Sequence, residues 1–221
     1  MDPERAREAR RLLDRYLVEV VERFGLCPWA APAQARGEVR IEVVDPEDAA
    51  AALDRFIADS GAAIGLVVMP DFDGGPVALR RRRDALLQAR GSTIALADFH
   101  PTASLDATDA ARVVPFLRRA PDPLLQAVRH LTLAGLRRSV DALSPRDQAA
   151  VLAGKAVVRP RDPVEQVAIT NLTTVHAHLD ALVEVLDDIS RDRDHTYARL
   201  AGRSVHAGDG EQDPDHGARG W

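Results

Sequence analysis

The spacing of apolar residues predicts a helix in the first part of the chain. From residue 4 to 24, apolar side chains recur at three- and four-residue steps, which is the pattern of an amphipathic helix. Gly25 and Pro28 follow, and both favour the end of a helix over its continuation. Cys27 therefore lies in the first irregular chain after a helix, a position common among residues that act on ligands.

Short apolar segments then alternate with helical segments. Residues 39–44 alternate between apolar and polar side chains, as expected of a half-buried strand. Residues 63–69 and 92–99 are short apolar runs, which are typical of buried strands. Helices are predicted between these strands, at 46–59 and 76–90. Strands that alternate with helices in this way predict βαβ units and an α/β fold.

The chain after residue 101 has a less regular pattern. Its predicted elements are a polar loop over 118–123, a helix over 123–143, a loop over 144–163 and a long helix over 164–192. We therefore expect a single α/β domain over residues 1–200, with a small central sheet of three or four strands flanked by helices, and a long C-terminal helix. The chain over 201–221 is typical of a disordered tail.

Charge and composition narrow the class of protein. The net charge of -5 indicates no basic surface for nucleic acid, and no apolar run reaches the roughly 20 residues of a membrane span. The first residues lack the apolar core of a secretory signal, and one cysteine permits no intrachain disulfide. We therefore expect a cytoplasmic protein without nucleic-acid or membrane partners. Lys155 is the one lysine among many arginines, which indicates a compositional bias rather than a phosphate site.

Asp98 and His100 stand at the end of the third predicted strand. Ligands of open α/β sheets bind near the carboxyl ends of strands, so this position favours a functional role. His100 would act there as a general base or a metal ligand. Its ring would otherwise hydrogen-bond a neighbouring loop, and the sequence leaves both interpretations open.

Cys27 and two arginines add further candidate chemistry. Cys27 would be a nucleophile or redox thiol, or else a small buried apolar residue. The negative end of the preceding helix disfavours a thiolate unless a cation lies nearby, and Arg119, Arg129 or a protonated His100 would supply one. Either arginine would also bind a carboxylate or phosphate, although composition alone favours an ordinary surface role.

Four short segments of the chain form an ordered set. They are Gly25-Leu26-Cys27-Pro28-Trp29-Ala30, Asp98-Phe99-His100-Pro101, Arg119-Ala120-Pro121-Asp122-Pro123 with Arg129 downstream, and Ile169-Thr170-Asn171-Leu172-Thr173. They resemble the motifs LNLCPFA, FHP, RSPYP…LLRE and RNIETL of a bacterial family of unknown function, DUF1415. Order and rough spacing agree from about residue 12 to 180. The chain departs from the family at Trp29, Asp122, Gln126 and His130, where the family has phenylalanine, tyrosine, histidine and glutamate.

The resemblance implies a shared fold and connects the candidate residues into one site. Cys27, His100, Arg119, Arg129 and Asn171 all coincide with polar positions of the family's motifs. The departures affect ligand specificity in particular, because they fall within or beside those motifs.

Three hypotheses for function remain open from the sequence. The first is a small-molecule enzyme, a thiol-dependent hydrolase or transferase acting on an anionic substrate. Its assigned residues are Cys27 as nucleophile or redox thiol, His100 as base or acid, Asp98 as a further catalytic residue, Arg119 and Arg129 as substrate-binding groups, and Asn171 to orient or stabilise charge. The second is a metal- or haem-binding protein with Cys27 and His100 as ligands. The third is a structural module, and the sequence specifies no cofactor.

Overall fold

The computed structural model describes residues 1–27, 29–104, 106, 108–109, 112–130 and 163–208, apart from the side chains of residues 92, 163–166 and 203–208. The α-helices are α1 (Pro3–Tyr16), α2 (Ala30–Ala35), α3 (Ala49–Ala58), α4 (Pro76–Arg90), α5 (Val113–Leu117) and α6 (Pro163–Gly208). The strands are β1 (Val39–Val43), β2 (Ile64–Val68), β3 (Ile94–Phe99) and β4 (Leu124–Arg129). Short 3₁₀ turns cover Pro46–Asp48 and Gly91–Thr93, and a π-helix covers Leu17–Glu22.

The four strands form one mixed sheet in the order β1-β2-β4-β3. β1 and β2 are parallel, whereas β4 runs antiparallel to both of its neighbours. β1, β2 and β3 therefore point the same way, and their carboxyl ends share one edge of the sheet. The predicted α/β fold, with a small sheet flanked by helices and a long C-terminal helix, is confirmed.

The sheet separates two apolar cores. On one side, Leu66 and Leu124 pack with α1 and α6. On the other side, Val67 and Leu125 pack with α3 and α4. Because successive side chains of a strand point to opposite faces, a shift of one residue along a strand moves a side chain from one core to the other. This parity decides which side of the sheet each candidate residue can serve.

The predicted helix over 4–24 is α1 followed by a π-helix. Asp2 caps α1, since its carboxylate accepts hydrogen bonds from the main-chain N–H groups of Glu4 and Arg5. The π-helical stretch ends where the N–H of Leu26 donates to the carbonyl of Val21 at 2.9 Å. π-helical turns are rare and are frequent at functional sites. Here the widened turn carries the chain directly into Cys27.

β4 is where the sequence-based prediction was wrong. A helix was predicted over 123–143, but residues 124–129 form the strand that pairs with both β2 and β3. A central strand with both faces buried has a nearly continuous apolar run, which periodicity does not distinguish from a buried helix. The remainder of that predicted helix and nearly all of the predicted loop over 144–163 lie outside the described residues.

α6 is longer than predicted and is interrupted once. It reaches Gly208, beyond the predicted ends at 192 for the helix and 200 for the domain, and residues 209–221 lie outside the described part of the chain. His178 has non-helical backbone angles, φ −133° and ψ 21°, which divide α6 into two limbs. Asp192 joins the second limb to α1, because it accepts hydrogen bonds from Arg11 and Arg15 at 2.8 and 2.6 Å. None of the described helices is both long and apolar enough to cross a membrane.

Candidate functional site

A cavity of about 330 Å³ lies between one face of the sheet and the helices α1 and α6. Most of its wall is apolar, formed by side chains such as Leu17, Leu66 and Phe99. Polar residues also line it: Tyr16 and Gln34, and four from further elements, Cys27, Arg118, Gln126 and Asn171. The last four are the ones that concern the candidate site. They come from the turn after the π-helix, the turn after α5, strand β4 and the first limb of α6. A concave apolar space with a few convergent polar groups is the usual form of a small-molecule site.

Arg118 lines this cavity and has no ion-pair partner among the described residues. Within the described residues, its guanidinium makes no ion pair and no side-chain hydrogen bond. Its central carbon lies 5.7 Å from the ring centre of Phe99, a cation–π contact on the cavity wall. Burial lowers the pKa of the Arg118 guanidinium below its ordinary value, and the charge of Asp98 opposes that shift. Arg118 is therefore a half-buried cation that faces an apolar space.

Asn171 and Gln126 also make no side-chain hydrogen bond within the described part of the chain. The Asn171 side chain is only 9% exposed, and its amide makes no hydrogen bond to any described residue. Gln126, half-buried on β4, likewise has no side-chain partner among the described residues. Their polar atoms stay accessible from the cavity, because the buried side-chain atoms that lack a partner among the described residues are Arg5 Nε and Arg82 Nε. Arg118, Asn171 and Gln126 therefore present hydrogen-bonding groups to one cavity, where water or a ligand can bind them.

Tyr16 fixes the turn that precedes Arg118. Its hydroxyl donates to the carbonyl of Leu117 at 2.7 Å. Burial raises the pKa of Tyr16 well above its usual range, so the phenol stays protonated and keeps donating. The pKa of Tyr16 also responds to the charge of Arg118 and to the thiol of Cys27, so both groups lie near the phenol. Arg118, Tyr16 and Cys27 all line the cavity.

Asp98 lies on the opposite face of the sheet from this cavity. It shares its face of β3 with Ile94 and Leu96, which pack against α3 and α4. Its carboxylate contacts Arg83, and Arg80 lies 3.9 Å away. Asp98 thus pairs with arginines of α4 and does not line the Cys27 cavity.

His100 binds the loop before α4 and does not line the Cys27 cavity either. Its Nε2 lies 3.0 Å from the carbonyl oxygen of Gly74, and its Nδ1 lies 3.2 Å from the main-chain nitrogen of Thr102. Nδ1 accepts from Thr102 and Nε2 donates to Gly74, so the neutral ring satisfies both contacts. These contacts correspond to the interpretation in which the His100 ring hydrogen-bonds a neighbouring loop.

Arg119 and Arg129 are both engaged away from the cavity. Arg119 donates through Nε to the carbonyl of Pro101 at 3.3 Å and lines a separate, much smaller space. Arg129 donates to main-chain carbonyls at the end of α3, among them those of Phe56 and Ala62 at 2.8 and 2.9 Å. Arg129 therefore caps the C-terminus of α3, on the side of the sheet away from the cavity.

The structure thus brings together Cys27 and Asn171 of the predicted site residues and replaces the predicted arginines with Arg118. Asp98, His100, Arg119 and Arg129 do not line the same cavity. The sequence carried no signal for Arg118 over its neighbour Arg119, since both stand in the same loop. Gln126 could be recognised as a site residue only once residues 124–129 were known to be a strand. Alternation along the strand then directs Gln126 to the face of the sheet that Leu125 does not occupy.

The described part of the chain contains no set of side chains that could serve as ligands for the hypothesised metal. No group of three histidine, cysteine, aspartate or glutamate side chains is close enough there to hold an ion. Cys27 and His100, the two ligands that the sequence suggested, do not line one cavity. This geometry gives no support to a shared metal or haem site at these two residues.

Comparison with known proteins does not identify this chain. No protein-family model matches it, and no match was found among curated proteins or among solved structures. The resemblance to DUF1415 stays a prediction from the sequence.

The contacts of His100 predict a specific dependence of stability on pH. Burial lowers the pKa of His100 below its usual value, because protonation would place a charge in a poorly solvated position and remove the Nδ1 acceptor. The unfolded chain therefore takes up this proton at a higher pH than the folded protein. The stabilising contribution is complete above pH ~6.5 and decreases as the pH falls below that value.

We expect His100→Gln to flatten this dependence, as measured by urea denaturation at pH 7.5 and 5.5. The wild type should lose more unfolding free energy between the two pH values than the variant does. His195→Gln, at an exposed position of α6, is the matched control and should behave as the wild type. An equal loss in His100→Gln and wild type would contradict the assignment.

Proposed function

We propose that this protein is a small-molecule enzyme that binds an anion with an apolar body in the Cys27 cavity and uses Cys27 as its nucleophile. The observation that carries the proposal is the convergence of Arg118, Asn171 and Gln126 on an apolar cavity, since none of the three has an ion pair or a side-chain hydrogen bond to a described residue. Each of these groups can donate hydrogen bonds to an anion, and Arg118 also supplies the compensating charge.

The balance of charge favours an anionic ligand over a neutral one. Folding has partly removed the Arg118 guanidinium from water without giving it a counterion among the described residues. An anion bound beside it would provide the missing attraction in a region of low dielectric. The apolar wall would meanwhile bury the rest of the ligand at about 25 cal/mol for each Å² of apolar surface removed from water.

Cys27 supplies the reactive group of this proposal. Cys27 lines the same cavity as Arg118 and Asn171, so the proposal places a ligand held there within reach of the thiol. After the thiol loses its proton to water, the thiolate would attack an acyl carbon to form a thioester as the bond to the leaving group breaks, and the leaving group would take a proton from water. Water or a second acceptor would then attack the thioester and release the thiolate, as in a hydrolase or transferase. The amide N–H of Asn171 would donate to the oxygen on which charge develops. The described cavity wall contains no histidine or carboxylate, so the proposed chemistry relies on the thiolate itself.

The experiment compares two alkylating agents that differ in charge. Cys27 is the one cysteine of the chain, so intact mass reports its modification without ambiguity. We expect anionic iodoacetate to react with Cys27 faster, relative to neutral iodoacetamide, than it does with free cysteine. In Arg118→Met, this preference should fall about tenfold, which corresponds to the loss of roughly 1.4 kcal/mol of attraction.

Arg119→Met is the matched control, since it removes an adjacent arginine whose side chain binds Pro101 outside the cavity. This control should keep the wild-type preference for iodoacetate. If the wild type shows the ratio of free cysteine and Arg118→Met leaves it unchanged, the proposed anion-directed thiol is wrong.

A further inference from the structure

We infer that the ligand of the Cys27 cavity is a monocarboxylate with an apolar body of about ten to twelve carbons, rather than a phosphate or a neutral lipid. This inference rests on the proposed function, since it specifies the anion that the same cavity accepts. Three properties of the cavity lead to it: the number of uncompensated charges, the geometry of the donors and the volume.

The charges around the cavity leave one positive charge uncompensated. Two arginines of α4 approach Arg118, but both already face carboxylates. Arg83 contacts Asp98 and lies 2.7 Å from Asp84, and Arg80 is 3.9 Å from Asp98. Arg118 is then the one cation lining the described cavity wall that lacks an anion. A carboxylate has a single negative charge and would neutralise it.

A phosphate monoester fits this charge balance less well. It carries about −1.5 to −2 charges near neutral pH, so one guanidinium would leave a net negative charge in an apolar space. Burying an uncompensated charge is far more costly than burying a neutral pair. The charge therefore favours a carboxylate over a phosphate at the same position.

The donors also match the shape of a carboxylate. A guanidinium presents a planar pair of N–H groups that two carboxylate oxygens can accept side by side. Those oxygens retain further lone pairs, and the amides of Asn171 and Gln126 provide N–H groups for them. A hydroxyl group would satisfy only part of this donor set and would leave the Arg118 charge uncompensated.

The volume sets the size of the apolar body. A buried apolar cavity of about 150 Å³ holds one benzene molecule, which has six carbons. The Cys27 cavity, at about 330 Å³, is roughly twice as large. Its wall is formed mainly by leucine, valine, isoleucine and aromatic side chains, which suit an alkyl chain or a fused ring. A body of ten to twelve carbons would fill this space.

Trp29 provides the signal for the test, because it lines the cavity. The chain has one other tryptophan, Trp221, which lies outside the described residues. In a Trp221→Phe background, quenching or shift of Trp29 fluorescence would be titrated with decanoate, 1-decanol and decyl phosphate. Butyrate and hexadecanoate would test the size of the body.

We expect decanoate to bind at least about tenfold more tightly than decanol, decyl phosphate, butyrate and hexadecanoate. Ala168→Phe, which adds volume to the cavity wall on α6, should abolish the response. Ala198→Phe, at an exposed position of the same helix, is the matched control and should leave it intact. A response that survives Ala168→Phe and is independent of chain length would show binding outside the cavity and would overturn the inference.

The remaining outcomes separate this inference from the proposed function. Tighter binding of decyl phosphate would overturn the carboxylate while leaving an anionic ligand in place. Equal binding of decanol would overturn both. In a third outcome, decanoate binds tightly while Cys27 reacts with iodoacetate and iodoacetamide in the same ratio as free cysteine. That outcome would support the ligand class and would overturn only the nucleophilic role of the thiol.

Discussion

Arg118→Met is expected to weaken the binding of decanoate by at least about 100-fold without destabilising the fold. A factor of 100 corresponds to about 2.7 kcal/mol, which is within reach of one charge-assisted hydrogen-bonded pair in an apolar site. The stability result follows from the missing counterion: the substitution breaks no ion pair or side-chain hydrogen bond within the described structure. Methionine retains apolar contact with Phe99, so the free energy of unfolding should stay within about 0.5 kcal/mol or rise.

Two further variants make the Arg118 result specific. Arg118→Lys keeps the charge but loses the planar pair of donors, so decanoate affinity should be intermediate. Arg119→Met removes the same charge one residue away and should bind decanoate as the wild type does. Fluorescence titration measures the affinity, and urea denaturation measures the stability. A strongly destabilised Arg118→Met, or one with unchanged affinity, would contradict the assigned role of this residue.

Arg129→Met is expected to destabilise the fold by about 3 kcal/mol while leaving the Cys27 cavity able to bind its ligand. Arg129 donates to the carbonyls of Phe56, Ile57, Asp59 and Ala62, which lie at or just beyond the end of α3. The last carbonyls of a helix have no partner within the helix. A cation there also interacts favourably with the negative end of the helix dipole. Methionine would leave several of these partly buried acceptors unsatisfied at once.

The Arg129 and Arg118 predictions can be tested separately, because the two residues lie on opposite sides of the sheet. Arg129 serves the α3 side, whereas Arg118 faces the α1 and α6 side, so one variant should change stability and the other affinity. Arg129→Lys would keep a charge but reach fewer carbonyls, and its unfolding free energy should fall between those of wild type and Arg129→Met. A loss below about 1 kcal/mol in Arg129→Met, measured by urea denaturation, would show that these hydrogen bonds contribute little.

Local sequence signals determined most of the elements of this protein. α4 spans residues 76–90 as predicted, because Pro76 favours the first turn of a helix and Gly91 ends it with a φ of 63°. β1, β2 and β3 are also within a few residues of their predicted ranges, since each has a short apolar or alternating pattern and clear breakers. The position of Cys27 just after the first helical segment likewise follows from Gly25 and Pro28.

What the sequence could not determine depended on contacts between distant segments. β4 has few local signals, and it is a strand because β2 and β3 supply hydrogen-bonding partners on both sides. That single difference decides the site, since strand parity directs Gln126 to the cavity and Arg129 to α3, whereas a helix would have placed them differently. Arg118 rather than Arg119 lines the cavity with Cys27. The turn before Arg118 is held by a hydrogen bond from Tyr16, which lies 101 residues earlier, to the carbonyl of Leu117. Periodicity records whether a side chain is buried, but only the tertiary structure decides which partners it meets.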